Sequence, residues 1–345
     1  MDYAIELGQE VLAYTEHETV ANAIKIQEAY EKRKKDNPNF KVLLGNEIYL
    51  CRDGLNKDNY IPEEDKYFHY ILLACDLEGH KQIREISTRA WMRSYMQRGM
   101  RRVPTYYQDL IDIIYHNQGH VIGSCACLGG QCQQFLVKYM HTGEEQYKKH
   151  AIKWLKSMKK LFGNGYFYLE MQPSNNLEQI FVNKQFLELS SLLDIPYIIT
   201  CDAHYKNKEE KYIHEAYLKS QNGEREVGEF YDTTYLMATE EIESYFDYFT
   251  KEQLQIAYKN ILKIKEMCQD YDLKKPLKIP QLPWKETYIT DKQLENINIE
   301  LKKDNEQEIL NIYDDKILEN TIKLERVSNL KQFGIKYNKK MKVFG

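Results

Sequence analysis

Short apolar runs alternate with longer helical patterns through roughly the first three quarters of the chain. The apolar runs predict strands at 11–14, 42–50, 68–75, 121–127, 166–171 and 196–200. Helices are predicted near 79–96, 106–117, 130–139, 143–161 and 176–193, with a further helical run at 252–267. Thr19 is the predicted N-cap of the helix after the first strand. Strands separated by helices form βαβ units, so we expect a largely parallel sheet, and the number of units favours a barrel over an open sheet.

A change in composition near residue 275 predicts the end of the first domain. Pro276, Pro280 and Pro283 are three of the eight prolines of the chain and lie close together, which is typical of an extended linker. The sequence beyond them is rich in Lys, Asn and Glu, and 316–330 has an amphipathic helical pattern. We therefore expect a domain at 1–275, a Pro-rich linker at 276–285 and a helical or partly disordered extension at 286–345.

Composition places the chain among ordinary globular proteins that work outside membranes. Its 48 Lys and Arg residues against 52 Asp and Glu residues give a net charge of −4, so no overall basic field indicates nucleic-acid binding. The apolar runs are far shorter than the roughly 20 residues of a membrane span, and the first residues lack a signal-peptide pattern. The seven cysteines are then expected to be thiols or metal ligands in the cytoplasm rather than disulfides.

Residue types that bind metal ions stand at or near the predicted strands. They are Glu16 and His17 after the first strand, Glu47 in the second, His69 in the third, Cys125 and Cys127 in the fourth, and Asp202 and His204 after the last. The carboxyl ends of parallel barrel strands open onto one face, so we expect these side chains to converge there. Imidazole, carboxylate and thiolate together suit zinc or manganese. Glu47 lies among apolar neighbours, and a buried carboxylate needs a partner such as a cation.

Each of these residues also has an ordinary structural explanation. A single histidine commonly lies on the surface or in the core, and Asp-x-His after a strand can form a capped turn. A cysteine at a strand end commonly packs as a small core residue. His69 lies near the start of its apolar run, so in a parallel strand we expect it to point inward along the strand rather than off its end.

An arginine cluster offers a phosphate-binding candidate beside the metal ligands. Arg93, Arg98, Arg101 and Arg102 lie close together in an arginine-poor chain. Arginine binds phosphate in a bidentate manner, although positive charge at a helix C-terminus explains the cluster equally well. Several metal ions in one site suit phosphoester hydrolysis, because they lower the pKa of a bound water and hold the attacking and leaving oxygens. P-loop, GxGxxG and GxSxG motifs are absent from the sequence.

Six motifs occur in an order and spacing that resemble a known family. They are TEHE at 15–18, GNEIYL at 45–50, FHYILLA at 68–74, SCACLGG at 124–130, YFYLEMQ at 166–172 and TCDAHY at 200–205. Together they resemble the PHP (polymerase and histidinol phosphatase) domain of the bacterial DNA polymerase III alpha subunit. The resemblance runs from about residue 3 to about residue 283 and includes the exit sequence LKIPQLPW.

The resemblance implies an α/β fold, a distorted seven-stranded (β/α) PHP barrel with a multinuclear Zn²⁺ or Mn²⁺ site. The implied ligands are His17, Glu47, His69, Cys127, Asp202 and His204. Cys127 is preferred over Cys125 because it aligns with the cysteine before Leu-x-Gly. In some family members this site is reported to support metal-dependent 3′–5′ exonuclease proofreading. In others the ligands are lost, and the domain stabilises the polymerase and serves as an interaction platform.

The chain departs from the family pattern in two ways that affect the site. The family begins with a strand carrying His-x-His and a nearby acidic ligand, which this sequence lacks, so we expect a truncated barrel with fewer nitrogen ligands. The usual Thr-Asp-His is Thr15-Glu16-His17, where the longer carboxylate of Glu16 is expected to change an outer contact to His17.

The sequence after residue 283 lacks the Gly-Arg-Gly-Ser loop and the paired catalytic aspartates of a polymerase palm. We therefore expect the PHP portion of a bacterial or phage replicative DNA polymerase, a nucleotidyltransferase at the level of the family. Its own chemistry would be at most that of a metal-dependent exonuclease or phosphoesterase. The expected partners are DNA and the rest of the polymerase on the same or another polypeptide. The alternatives are a free-standing PHP phosphatase and a non-catalytic structural or interaction module.

Overall fold

The computed structural model describes residues 1–276 of the 345-residue chain, except residues 63, 98 and 223–228. Its strands are β1 (Val11–Tyr14), β2 (Lys41–Cys51), β3 (Phe68–Ala74), β4 (Tyr95–Gln97), β5 (Met100–Arg102), β6 (Pro104–Tyr106), β7 (Val121–Ser124), β8 (Phe167–Met171) and β9 (Tyr197–Ile199). Its α-helices are α1 (Asp2–Glu6), α2 (Ala23–Lys34), α3 (Leu77–Met92), α4 (Tyr107–Ile113), α5 (Gln131–Thr142), α6 (Glu145–Phe162), α7 (Leu177–Leu193), α8 (Lys211–Asn222), α9 (Thr239–Ser244) and α10 (Lys251–Met267). Short 3₁₀ helices cover Tyr115–Asn117, Lys208–Glu210 and Glu229–Thr233. The predicted linker after Pro276 and the extension at 286–345 lie outside the described residues.

One mixed sheet of seven strands forms the centre of the compact unit Met1–Lys274. Its order is β1-β2-β3-β7-β8-β9, and β6 pairs with the end of β2. The pairs β1–β2, β2–β6, β7–β8 and β8–β9 are parallel, as the alternation of strands and helices predicts. Helices connect three of these parallel pairs, because a parallel connection must cross back over the sheet.

Strand β3 runs antiparallel to both of its neighbours, which the sequence did not predict. Tyr49 of β2 lies opposite His69, and Ile71 lies opposite Ser124 at the end of β7. Residues 52–67, described except for residue 63, contain no helix, and an antiparallel strand needs no crossover helix. The start of β3 therefore lies beside the carboxyl ends of β2 and β7. His69 does point to the inner face, but the expected parallel direction of its strand was wrong, because β3 is reversed.

The sheet is curled and packs on both faces. On the outer face, Tyr70 of β3 stacks on Phe162 of α6 with 5.8 Å between ring centroids. On the inner face, Ile71 packs in a cluster with Ile264 of α10. Helix α10 contacts both β1 and β9, which are the two ends of the sheet order. The side chain of Asn260 donates to the carbonyl of Tyr197 in β9 at 2.8 Å, so α10 fills the space between these end strands.

Several predicted boundaries differ from the structure. The helix predicted at 79–96 ends at Met92, because β4 and β5 follow it as an antiparallel pair, with Gly99 at φ 77° directly before β5. The helix predicted at 106–117 is divided into α4 and a 3₁₀ turn. Thr19 is not an N-cap: its hydroxyl accepts from the backbone of Ala21 at 3.1 Å, and α2 begins after Asn22.

Candidate metal centre

The backbone brings His17 and Glu47 together at the edge where β2 continues past β1. An isolated parallel bridge joins these two residues. The amide of Glu18 donates to the carbonyl of Glu47 at 2.7 Å, and the amide of Glu47 donates to the carbonyl of Glu16 at 3.0 Å. Glu18 adopts φ 61°, a conformation that costs energy for a residue with a side chain. The short extension of the β1–β2 ladder thus holds the two side chains at one place.

Glu47, His69 and His17 form the centre of the site. Glu47 Oε1 lies 2.6 Å from His69 Nδ1, and Glu47 Oε2 lies 3.8 Å from His17 Nδ1. One donor atom from each of the three residues lies within 4.8 Å of the other two, a spacing that can hold a metal ion. His69 is the second residue of β3, and it reaches Glu47 because β3 runs antiparallel to β2.

Cys127 joins the same cluster from the loop after β7. Its Sγ lies 3.4 Å from His69 Nδ1. Burial and the nearby charge of Asp202 raise the pKa of its thiol well above the usual value. Strand β7 ends at Ser124 rather than at residue 127, because Ala126 adopts φ 59° and turns the chain. Cys125 instead packs in the core, where its sulfur accepts from the amide of Glu170 at 3.2 Å.

Asp202 and His204 complete the set from the loop after β9. His204 Nδ1 lies 2.7 Å from the carbonyl oxygen of Asp202, which can only accept, so Nδ1 carries the proton and Nε2 is left as a ligand atom. The ring of His204 lies 6.1 Å from that of His17. The structure therefore brings the six predicted ligands to one end of the sheet, and their binding of metal stays a prediction.

The electrostatics of the cluster favour a bound cation. Burial would raise the pKa of Glu47, but the hydrogen bond from His69 and the nearby histidine charges hold it below its usual value. Burial and the charge of Glu47 raise the pKa of Asp202 to about 6. Asp202 Oδ2 is buried and has no hydrogen-bond partner among the described residues. Two neighbouring carboxylates, one with a buried and unpaired oxygen, fit a divalent cation, which would satisfy both.

Glu16 contacts Asn22 rather than His17. Its Oε1 accepts a hydrogen bond from the side chain of Asn22 at 2.6 Å, just before α2. The carboxylate therefore fixes the start of α2 relative to the loop that carries His17. A direct contact of the Glu16 side chain with His17 is absent from the described hydrogen bonds, and its role beside that ligand stays a prediction.

The arginine cluster is divided between structural and open positions. Both Nη atoms of Arg93 donate to Asp109, at 2.6 and 2.8 Å, so a phosphate would have to compete with this ion pair. Arg101 donates to Ser94 at 3.1 Å on an exposed hairpin. The guanidinium of Arg102 lies 4.9 Å from the centroid of the Tyr67 ring, and its charge acts on Glu18 beside the site. Arg98 lies outside the described residues.

Sequence reasoning missed several side chains around the cluster. Glu170 of β8 accepts hydrogen bonds from the hydroxyls of Ser124 and Thr200, and burial raises its pKa to about 7. Tyr49 stacks on His17 with 5.5 Å between ring centroids. Glu170 could have been found by the signal that identified Glu47, a carboxylate within an apolar strand. The stacking of Tyr49 has no comparable sequence signal.

Comparison with known proteins assigns the family. The family model of the PHP domain matches residues 1–174. This chain belongs to the PHP domain family. The PHP chain is 36% identical over 291 residues to "Probable DNA polymerase YorL" of Bacillus subtilis and to a "DNA-directed DNA polymerase" of Bacillus phage SPbeta. Each match covers 81% of this chain and 22% of the relative.

A more distant relative carries the name of the family that the six motifs resemble. The PHP chain is 29% identical to the "DNA polymerase III subunit alpha" of Aquifex aeolicus, over 61% of this chain and 17% of that protein. The chain thus spans about a fifth of the length of these curated relatives. The predicted family and the predicted α/β barrel class are confirmed. In the described part of the PHP chain, none of the helices is both long and apolar enough to cross a bilayer.

Proposed function

We propose that this chain is the PHP portion of a bacterial or phage replicative DNA polymerase, and that its candidate metal centre hydrolyses the terminal phosphodiester at DNA 3′ ends. The polymerase names of the relatives support the first part. Its partners are then DNA and the palm and fingers of the polymerase, and its place is the cytoplasm, where replication occurs. Residues 276–285 act as a linker to the extension at 286–345.

The convergence of the six ligand-type side chains carries the proposal. They come from five separate segments of the chain, yet they lie at one end of the sheet around the buried Glu47 and the partly buried Asp202. The mixed nitrogen, oxygen and sulfur donors fit Zn²⁺ or Mn²⁺. When bound, such ions would lower the pKa of a water molecule and neutralise charge on a phosphate group.

The side chains of the site have distinct tasks in this proposal. Glu47 and Asp202 supply the negative charge that holds cations, and His17, His69 and His204 supply neutral nitrogen donors. The Nδ1–H of His204 is held by a backbone carbonyl, which fixes the ring with Nε2 toward the site. The guanidinium of Arg102 lies near Glu18 at the rim, where it can bind the phosphate of an entering DNA strand.

The test combines metal content with hydrolysis of DNA ends. We expect the purified chain to contain at least one tightly bound Zn²⁺ or Mn²⁺, measured by elemental mass spectrometry. We expect it to shorten a 5′-labelled single strand from the 3′ end, and Asp202→Asn to reduce the rate at least about 100-fold. Asp194→Asn is the matched control, because both aspartates adopt positive φ, 46° and 50°, which asparagine tolerates.

Other results would support different functions. Equal rates for wild type and Asp202→Asn would exclude this site as the source of hydrolysis. Turnover of p-nitrophenyl phosphate with unchanged DNA ends would indicate a free-standing phosphatase. A chain that binds no metal and hydrolyses neither substrate would be a structural module of the polymerase.

A further inference from the structure

Helix α6 presents a row of lysines on the side opposite to its buried face. The buried side consists of Ala151, Trp154, Leu155, Met158, Leu161 and Phe162. We define the lysine stripe as Lys149, Lys153, Lys156 and Lys160, which are all exposed. At 100° per residue these four fall within an arc of about 60°, centred nearly opposite the buried side. The stripe also lines a shallow surface depression with Ile152 and Ser157.

The charges of the stripe are not neutralised by the protein. Lys148 and Lys159, which flank it on the same helix, pair with Glu188 and Asp194 at 3.1 Å. Within the part of the chain that the structure describes, the four stripe lysines form no ion pair, and α6 places no carboxylate between them. Like charges three and four residues apart destabilise a helix by a few tenths of a kcal/mol per pair. A chain with more acidic than basic residues thus keeps an uncompensated basic surface on α6.

The stripe lies on the outer face of the sheet, away from the candidate metal centre. Helix α6 packs through Phe162 on Tyr70, whereas the neighbouring residue His69 points to the inner face. A ligand bound to the lysine stripe would therefore lie at a different place from a DNA 3′ end bound in the metal centre.

We infer that the lysine stripe binds the sugar–phosphate backbone of duplex DNA. From Lys149 to Lys160 the helix rises about 16 Å, which matches about five nucleotides of one B-DNA strand at 3.4 Å each. Lysines supply sequence-independent phosphate contacts of this kind. The choice of DNA among polyanions rests on the proposed place of the chain in a DNA polymerase. The stripe would hold duplex DNA outside the site that acts on its end.

The test measures binding of the full chain to a fluorescein-labelled 20-base-pair duplex by anisotropy, with a chelator present and at several salt concentrations. The chelator separates binding from hydrolysis, so failure of the proposed exonuclease does not affect the result. With all four stripe lysines changed to Gln, we expect at least tenfold weaker binding at 50 mM salt. We also expect the slope of log affinity against log salt to fall by about 3 to 4, or about 0.9 per lost contact.

A control with the same change in net charge decides whether the position of the lysines matters. Lys25, Lys32, Lys259 and Lys263 are exposed and form no ion pair in the described structure, and their Gln variant should bind as the wild type does. Equal weakening by both variants, or none by the stripe variant, would overturn the proposal. Binding of poly-glutamate is measured in the same way. If the stripe variant lost poly-glutamate binding but kept DNA binding, the proposal would also be overturned, in favour of an acidic protein partner. Thermal melting of both variants shows whether each is folded.

Discussion

Removal of the Arg93 guanidinium should destabilise the protein rather than only weaken DNA binding. The two Nη atoms of Arg93 donate to Asp109, which is 4% exposed, and the guanidinium lies 4.1 Å from the centroid of the Tyr106 ring. Asp109 also accepts from the amide of Tyr106 at 2.9 Å. In Arg93→Met the buried carboxylate of Asp109 loses both guanidinium hydrogen bonds. It keeps only the bond from the Tyr106 amide and the more distant charge of Arg89, whose Nη1 lies 3.8 Å from Asp109 Oδ1.

The magnitude follows from the burial of the pair. Breaking a buried ion pair costs about 3–5 kcal/mol, and the partial exposure of Arg93 places this pair at the lower end. We expect Arg93→Met to lower the free energy of unfolding by about 3 kcal/mol, and the melting temperature by roughly 6–12 °C. Asp109→Asn should cost a similar amount, and the double variant should cost much less than the sum, with a coupling of at least about 1.5 kcal/mol.

The assay is urea unfolding of the four members of this double-mutant cycle, followed by circular dichroism, with duplex DNA affinity measured on the same proteins. A coupling below about 0.5 kcal/mol would refute the structural role. If Arg93→Met were as stable as the wild type but bound DNA much more weakly, Arg93 would instead contact phosphate.

Three further perturbations test the packing of the domain. Burial lowers the pKa of His80 to about 4, so the unfolded chain takes up a proton first as the pH falls below about 6.5. Stability should therefore drop by about 1–2 kcal/mol between pH 7 and pH 5, and urea titrations of His80→Asn should show a smaller drop; an equal drop in both proteins would contradict this. Gly79→Ala should cost at least about 2 kcal/mol, because the added Cβ would lie 1.9 Å from the carbonyl oxygen of His120; an unchanged urea midpoint would contradict this. Glu170→Leu should cost about 2–3 kcal/mol by leaving two hydroxyl donors without their acceptor, whereas Glu170→Gln should cost less, and equal melting temperatures for the two variants would contradict the role.

Sequence patterns predict the local elements of this protein well and the direction of strands poorly. The apolar runs and helical periods locate most of the sheet, since each depends on neighbouring residues. The reversal of β3 depends on the connection at 52–67. Its sequence has no helical pattern, which already indicated that no crossover helix joins β2 to β3 and that the two strands are antiparallel. The first two residues of β4 were predicted as the end of a helix, because Tyr95 and Met96 fit either pattern.

The candidate ligands could be predicted because they sit in apolar strands or directly after them. Glu47 and Asp202 stand out beside apolar neighbours, and buried carboxylates are rare without a partner. The ion pair of Arg93 with Asp109 could not be predicted, since it joins the residue after α3 to a residue of α4, and no local pattern determines how these elements pack. The contact of Glu16 with Asn22 likewise depends on where α2 begins, which was predicted too early.

The inner face of the sheet changes from apolar to polar within two or four residues on five of its seven strands. The apolar layer includes Leu43, Ile71, Ile122, Tyr168 and Ile198. On the same strand faces, the polar layer contains Glu47, His69, Ser124, Glu170 and Thr200. Residues two apart on a strand share a face, so each polar residue stands directly above the packed interior. On β2, β7, β8 and β9 the polar residue follows the apolar one along the chain, whereas on β3 it precedes the apolar one. The reversed strand therefore carries its ligand at its beginning, and the order of apolar and polar residues along a strand is a test of its direction.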